Sequence, residues 1–319
     1  MLIKQADDRT KDIDTLKALA SPDVTPEIRD TIDREIRNIQ SGMRGEAEAA
    51  YEMEFHYGTS NNWMIIHDLR LECEGRVAQI DHLLINRLLD IYVCESKRFS
   101  EGVAVNPQGE FAAFFCGKPY GIPSPLEQNR KHMAVLDAVF NTGMVSPPTR
   151  LGFTIKPSLH GLVLVSKTAR ISRPKVKIDG IDAVIKNDQL KAKIDRDVNK
   201  DNNILGAAKI IGQDTLEDFA RRLAAMHKPI TFDWPAKFRL HPVAQIMEKT
   251  TEPTIKFVIP TAESTGTSEF ATEGLKSKLV CSSCGTAVTH NVAKFCWFNK
   301  PRFGGKIFCF ECQKAVPHP

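Results

Sequence analysis

Isoleucine recurs at helical spacing from Ile28 through Ile32 and Ile36 to Ile39, which predicts an amphipathic helix with one apolar stripe. Thr25-Pro26-Glu27 supplies its start, with Thr as the cap and Pro at the first helical position. Residues 1–40 therefore read as a helical extension that props the main body. Gly42 to Gly45 interrupts the pattern, and a second helix is expected from 46 to about 57. Strand-like runs follow at 63–69, 77–85 and 91–97. The Gly- and Pro-rich stretch 99–125 reads as an irregular excursion with a short hairpin at 111–115. A helix at 126–140, a loop at 141–157, strands at 159–166 and 183–186, and a helix at 214–227 complete the series. The order α-β-β-β-α-β predicts an α/β fold, a mixed sheet with helices on both faces.

Beyond residue 229 the periodicity fades, and 260–274 is dense in Thr, Ser, Glu and Gly, as in a flexible linker. Four segments result: an N-terminal helical extension (1–40), a main domain (41–228), a linker (229–278) and a small cysteine-bearing module (279–319).

The 319 residues are enough for one sizeable α/β domain with small appendages. No apolar run approaches the roughly 18 residues of a membrane span. The start, Met1-Leu2-Ile3-Lys4-Gln5, is not a secretory signal, so a cytoplasmic protein with no membrane partner is expected. Net charge is only +4, but from Lys276 onward there are seven Lys/Arg against one acid, Glu311. A polyanion is sought first at that end. Of eight cysteines, Cys73, Cys94 and Cys116 lie in apolar segments and read as buried small hydrophobes. The other five crowd between Cys281 and Cys312, which in a cytosolic chain points to a metal before a disulfide.

The chemistry concentrates in Gln79-Ile80-Asp81-His82 and Glu95-Ser96-Lys97. If 79–97 folds back as a hairpin centred near Leu88, Ile85 faces Ile91, Leu83 faces Val93 and Asp81 faces Glu95, with opposed Cβ atoms ~5 Å apart. Lys97 lies one pleat beyond Glu95 on the same side, and His82 points to the opposite face, packed against a helix. Two carboxylates meeting on an otherwise apolar sheet repel, and burial raises at least one pKa. A divalent cation relieves both effects. Mg²⁺ suits one or two carboxylates plus water and phosphate oxygens, and it can clamp a scissile phosphate and acidify a bound water. Lys97 would orient that water or stabilise developing charge. The plainer reading, two polar residues ending a strand pair, stands beside it.

In order and spacing, Gly42-Met43-Arg44-Gly45-Glu46, Gln79 to His82, Glu95 to Lys97, Pro125-Leu126-Glu127-Gln128-Asn129-Arg130 and Leu159 to Val165 resemble the nuclease-related domain (NERD) family. That family is a branch of the PD-(D/E)XK restriction-endonuclease-like superfamily. The resemblance covers about residues 41–190. It implies a restriction-endonuclease-like mixed sheet flanked by helices, and hydrolysis of DNA phosphodiester bonds with Mg²⁺ (or Mn²⁺). By position it implies that Asp81 and Glu95 are metal ligands and Lys97 the catalytic lysine. It further implies that Glu46 is the helix carboxylate that helps hold a metal or its water, and that Gln128 borders the site.

Cys281-Ser282-Ser283-Cys284 and Cys309-Phe310-Glu311-Cys312 are two C-x2-C knuckles, the pattern of a closed tetrahedral Zn²⁺ site. Cys296 is expected in the core as a spectator, and His290 is a weaker alternative ligand. Phe295, Trp297, Phe298, Phe303, Phe308 and Phe310 alternate with Lys294, Lys300, Arg302 and Lys306, a mixture that can pack a small core, stack on unpaired bases and meet phosphates. The module resembles the zinc fingers and ribbons appended to bacterial topoisomerases and nucleases.

The expected function is a metal-dependent nuclease whose partner is DNA, single strands included. The alternatives are a nucleic-acid-binding protein that no longer cuts and a module that docks a protein through its zinc unit. No G-x-x-x-x-G-K-[ST] stretch is present, so unwinding would have to come from a helicase or another DNA-processing partner.

Overall fold

A computed structural model describes residues 1–21, 24–150, 152–200, 210–240, 279–289, 292–293, 295–296 and 299–316. By its internal contacts the chain divides into two compact units, Met1–Ile246 and Met247–Pro319.

In the first unit the elements run β1 (Leu2–Lys4), α1 (Thr10–Leu19), α2 (Pro26–Tyr57), β2 (Trp63–Cys73), β3 (Arg76–Asn86), β4 (Asp90–Lys97), β5 (Gly102–Val105), β6 (Phe111–Phe115) and β7 (Lys118–Ile122). They continue with α3 (Pro125–Asn141), β8 (Thr149–Arg150), β9 (Phe153–Thr154), β10 (Ser158–Val165), β11 (Arg170–Ser172), β12 (Val184–Lys186), α4 (Leu190–Lys200), α5 (Gln213–Ala225) and α6 (Trp234–Lys237). Six strands form the main sheet in the order β1-β2-β3-β4-β10-β12. β2, β3 and β4 are antiparallel neighbours, and the pairings of β1 with β2, β4 with β10 and β10 with β12 are parallel. The fold is thus mixed α/β, as the pattern of elements predicts.

Helices cover both faces. On one, Val135, Leu136 and Val139 of α3 and Leu216, Phe219 and Leu223 of α5 pack on Met64, Ile66, Leu83, Ile85 and Val93. On the other, Ala49, Met53 and Tyr57 of α2 and Ile194 of α4 pack on Ile65, Leu84, Tyr92, Cys94 and Leu164. Burial on both sides explains why these strands are apolar nearly throughout.

Several expectations change, and the loop expected at 141–157 carries the short β8–β9 pair. The extension at 1–40 is not wholly helical: Leu2–Lys4 is an edge strand held by parallel pairing to β2. Gly42 and Gly45 do not break a helix, since α2 runs unbroken from Pro26 to Tyr57, and residue 40 falls inside it. Two glycines cost a helix interior ~1 kcal/mol each. Burial of Ile32, Ile36 and Ile39 before them and Ala49, Met53 and Tyr57 after them outweighs that. The excursion at 99–125 is ordered: β5, β6 and β7 join β11 in a second, four-stranded sheet around Val103, Val105 and Phe111. Cys116 is exposed in the β6–β7 turn, whereas Cys73 and Cys94 are buried.

Residues 229–240, expected as linker, hold α6, whose buried Trp234 joins Ile13, Leu16, Ile32, Ile36 and Ile39 in a small core. The remainder of that segment, 241–278, lies outside the described residues. Among the described residues no helix is long and apolar enough to cross a membrane.

Candidate active site

The β3–β4 pairing places Ile85 opposite Ile91, Leu83 opposite Val93 and His82 opposite Cys94. That is the register read from the sequence, but its rungs stop one residue short of Asp81. In place of a backbone rung towards Glu95, Asp81 Oδ2 accepts a hydrogen bond from the Ser96 backbone N–H at 2.7 Å. On the other flank the β2–β3 ladder also skips a rung, because Asp68 stands at φ +50 between the paired residues His67 and Leu69. Asp is one of the few side chains that tolerates this left-handed backbone. Asp81 therefore sits in a gap of the sheet, where a carboxylate can take a backbone donor that regular pairing would have used.

Glu95 is 2% exposed. Its Oε1 accepts from Lys97 Nζ at 2.6 Å and from Gln128 Nε2 at 2.7 Å. Its Oε2 has no hydrogen-bond partner among the described residues and lies 3.4 Å from Nδ1 of His132, also without one. Gln128 and His132 are one turn apart on the same face of α3. That helix starts at Ser124, whose Oγ accepts from the Glu127 N–H, with Pro125 at the first position. Buried Asn129 then fastens α3 to the sheet, its Nδ2 donating to Val93 O at 2.8 Å and Leu162 O at 3.0 Å. The approach is close: a Cβ at Gly161 would stand 3.0 Å from the Met133 Cε and 3.2 Å from Asn129 Nδ2.

Glu46 arrives from α2, which presses on the end of β4 through Gly45: a Cβ there would lie 3.0 Å from the Arg98 Cβ. Burial raises the Glu46 carboxyl above its ordinary range, Asp68 and Glu95 push it the same way, and Arg9 and Lys97 oppose. Asp81 is raised well above an ordinary aspartate, first by burial, then by the negative charges of Glu95 and Glu46; the Ser96 N–H and Lys97 pull it back. Glu46, Asp81, Glu95 and Lys97 thus lie within electrostatic reach of one another, and Gln128 touches Glu95. The three carboxylates do not close into one cage. Among the described residues, the only group of three or more His, Cys, Asp or Glu ligand atoms all within 4.8 Å of one another is a cysteine quartet. A magnesium ion needs only one or two protein carboxylates. The buried Oε2 of Glu95, without a hydrogen bond among the described residues, and the repulsion felt at Asp81 are what such a cation would satisfy.

His132 was not among the residues singled out from the sequence. Its signal was there: it stands four residues after Gln128, the spacing that shares a helix face.

In the second unit the quartet is Cys281, Cys284, Cys309 and Cys312. The first pair sits in a turn closed by Gly285 N–H donating to Cys281 O at 2.9 Å, with Gly285 at φ +72. The second pair opens the short helix Phe310–Lys314. Ser282 N–H donates to Ile307 O at 2.7 Å and ties the two together. A tetrahedral Zn²⁺ with bonds of ~2.3 Å requires sulfurs about 3.8 Å apart; Cys284 and Cys309 are 3.6 Å apart. Four sulfurs in one place are electrostatically uneven. The backbone N–H of Cys309 leads in holding the Cys281 thiol down to about 6, whereas the Cys309 and Cys284 sulfurs push Cys312 up to about 12. A divalent cation evens this out, so the quartet fits a metal. Buried Cys296 lies outside the quartet, its sulfur taking the Phe308 N–H and Gln313 Nε2 at 3.4 Å each. His290, Lys294, Trp297 and Phe298 lie outside the described residues.

Residues 41–164 match the family described as the nuclease-related domain. The match includes Glu46, Asp81, Glu95, Lys97 and Gln128. No curated protein and no solved structure matches the chain.

Proposed function

We propose that the first unit is a metal-dependent nuclease that hydrolyses DNA phosphodiester bonds on a restriction-endonuclease-like sheet. The observation that carries this reading is the set of contacts on Glu95. A buried carboxylate is anchored through one oxygen by Lys97 and Gln128, keeps its other oxygen without a hydrogen bond among the described residues, and shares a charged site with Asp81 and Glu46. All five residues fall in the segment that matches a nuclease-related domain.

In this reading Asp81 and Glu95 hold Mg²⁺ or Mn²⁺. The bound cation would clamp the scissile phosphate and lower the pKa of a water. Gln128 keeps Glu95 Oε1 in place, and the Ser96 N–H does the same for Asp81 Oδ2. The Lys97 side chain is 29% exposed, and its Nζ is held by Glu95 at 2.6 Å, so it can stabilise charge developing on a phosphate oxygen. Glu46, with its raised carboxyl, is suited to accept a proton or hold a water on the α2 side.

The second unit, in the same reading, binds Zn²⁺ through its four cysteines and grips nucleic acid. Phe310 and Phe295 are 69% and 49% exposed, and Lys314 lies 5.1 Å over the Phe310 ring, the aromatic-plus-cation pairing that stacks bases and meets phosphates.

The test is cleavage of labelled single-stranded, duplex and plasmid DNA with Mg²⁺ or Mn²⁺, beside Asp81→Ala. Metal-dependent cutting that disappears in Asp81→Ala is the expected result. DNA binding without cutting under either metal would replace the nuclease by a non-cutting binding protein.

A further inference from the structure

On the sheet face opposite Glu95, four side chains from α2 and three adjacent strands stand in line. His67 Nε2 lies 3.3 Å from Glu54 Oε1, His67 Nδ1 lies 2.8 Å from His82 Nδ1, and His82 Nε2 lies 2.9 Å from Ser96 Oγ. Both histidines are 1% exposed. The Ser96 backbone N–H then holds Asp81 Oδ2 at 2.7 Å. The line thus reaches from the partly exposed Glu54 across the interior to a carboxylate of the candidate site.

Proton bookkeeping gives this line a direction. Two Nδ1 atoms at 2.8 Å must share one proton, since two N–H groups would collide and two lone pairs would repel. If His67 were the donor, its Nε2 would be a bare lone pair facing a carboxylate oxygen, acceptor against acceptor. If His82 is the donor, His67 carries its remaining proton on Nε2, facing Glu54. His82 Nε2 is then bare and accepts the Ser96 hydroxyl proton. Only the second arrangement gives every group its complement. The Glu54 contact is off hydrogen-bond alignment, so it acts there as a charge attracting an N–H dipole. On the far side of His67, Lys4 Nζ is occupied by Asp7 and by the carbonyls of His67 and Asp68 and does not compete for the ring.

We propose that Ser96–His82–His67 is a one-way hydrogen-bond chain, oriented at its far end by the charge of Glu54, that positions Asp81, with Ser96 as the positioning residue. This rests on the reading of Asp81 as a metal ligand. Ser96 is held at two atoms: its Oγ–H is spent on His82, and its N–H is thereby aimed at Asp81. A buried chain of neutral groups does this without adding a charge beside three carboxylates. It also gives a role to a buried imidazole pair on a face otherwise packed with apolar and aromatic side chains: apolar substitutes could not orient a strand end.

The test uses the full chain with Mn²⁺ alone as the probe. Mn²⁺ affinity is measured for wild type, Ser96→Ala, Ser96→Thr and Asp81→Ala, and the imidazole nitrogens are read by ¹⁵N NMR. Ser96→Ala is expected to bind Mn²⁺ ~10-fold more weakly, the usual scale for removing an outer partner of a metal ligand. Ser96→Thr, which keeps the hydroxyl, is expected to restore the affinity. The NMR should find His82 protonated at Nδ1 and His67 at Nε2. The opposite tautomers overturn the chain. Native affinity in Ser96→Ala alongside weakened binding in Asp81→Ala overturns the positioning role alone. Native affinity in both variants overturns the metal-ligand reading as well.

Discussion

The carboxylate site and the cysteine quartet keep their geometry by opposite means. Around Glu95 the scaffold comes first. Strands buried on both faces, with α3 fastened to them by Asn129, force three carboxylates together despite their mutual repulsion. In the second unit, Cys281, Ala293, Cys296 and Phe303 are the buried residues among those described. A module this small buries too little apolar surface to offset its chain entropy. A metal on the quartet would then be part of the folding free energy. On the proposed reading, the fold of the first unit makes a place for an ion, whereas in the second an ion would make a place for the fold.

If zinc fills the quartet as proposed, the largest effect that would break this contrast comes from stripping it. Structural zinc contributes on the order of 10 kcal/mol in small modules, so zinc removal or Cys281→Ser should open residues 279–319 to protease. The first unit should keep its circular dichroism and its melting temperature. A metal-free second unit that stayed protease-resistant would mean that its own packing suffices.

Next in size is Lys97→Met, which removes the ammonium 2.6 Å from Glu95. Cleavage should fall about 10²–10³-fold, or ~3–4 kcal/mol of barrier, while the variant melts as a folded protein in Mg²⁺. Undiminished cutting would remove Lys97 from the chemistry.

The smallest effect sharpens what burial costs the scaffold. Burial, with a smaller push from Lys4, lowers His67 to about 4, against ~6.5 in an unfolded chain. Between those values the unfolded chain binds a proton that the folded one refuses, so this contribution is complete above about pH 6.5 and is lost as pH falls towards 4. Denaturant titrations should show stability dropping by up to ~3 kcal/mol across that window, with a shallower drop in His67→Gln. Equal slopes for the two proteins would show that His67 is not held neutral by the fold.

What was legible in the sequence was what short range encodes. The hairpin register followed from alternation and one turn, and the C-x2-C pairs carry their geometry in their spacing. The gap at Asp81 was not legible, because it depends on a side chain taking a backbone donor from a neighbouring strand and on Asp68 leaving the ladder. β1 is three residues long and exists only by pairing with a distant strand, so it has no periodicity to read. The second sheet likewise needs β11, far along the chain, to complete it. At Gly42 and Gly45 local propensity pointed one way and tertiary packing the other, and packing won.

That unbroken α2 has a consequence for how the protein can be taken apart. At ~1.5 Å per residue, its 32 residues make a rod of about 48 Å. Its first half is seated on Ile13, Leu16 and Trp234, and its second half delivers Glu46 and then Met53 and Tyr57 to the sheet. The segment that matches a nuclease-related domain begins at residue 41, in the middle of this rod. A fragment cut there would start with frayed, uncapped N–H groups within two turns of Glu46, and would lose the hydrophobic seat that sets the rod's angle. The segment that matches the family and the unit of mechanics have different edges in this chain.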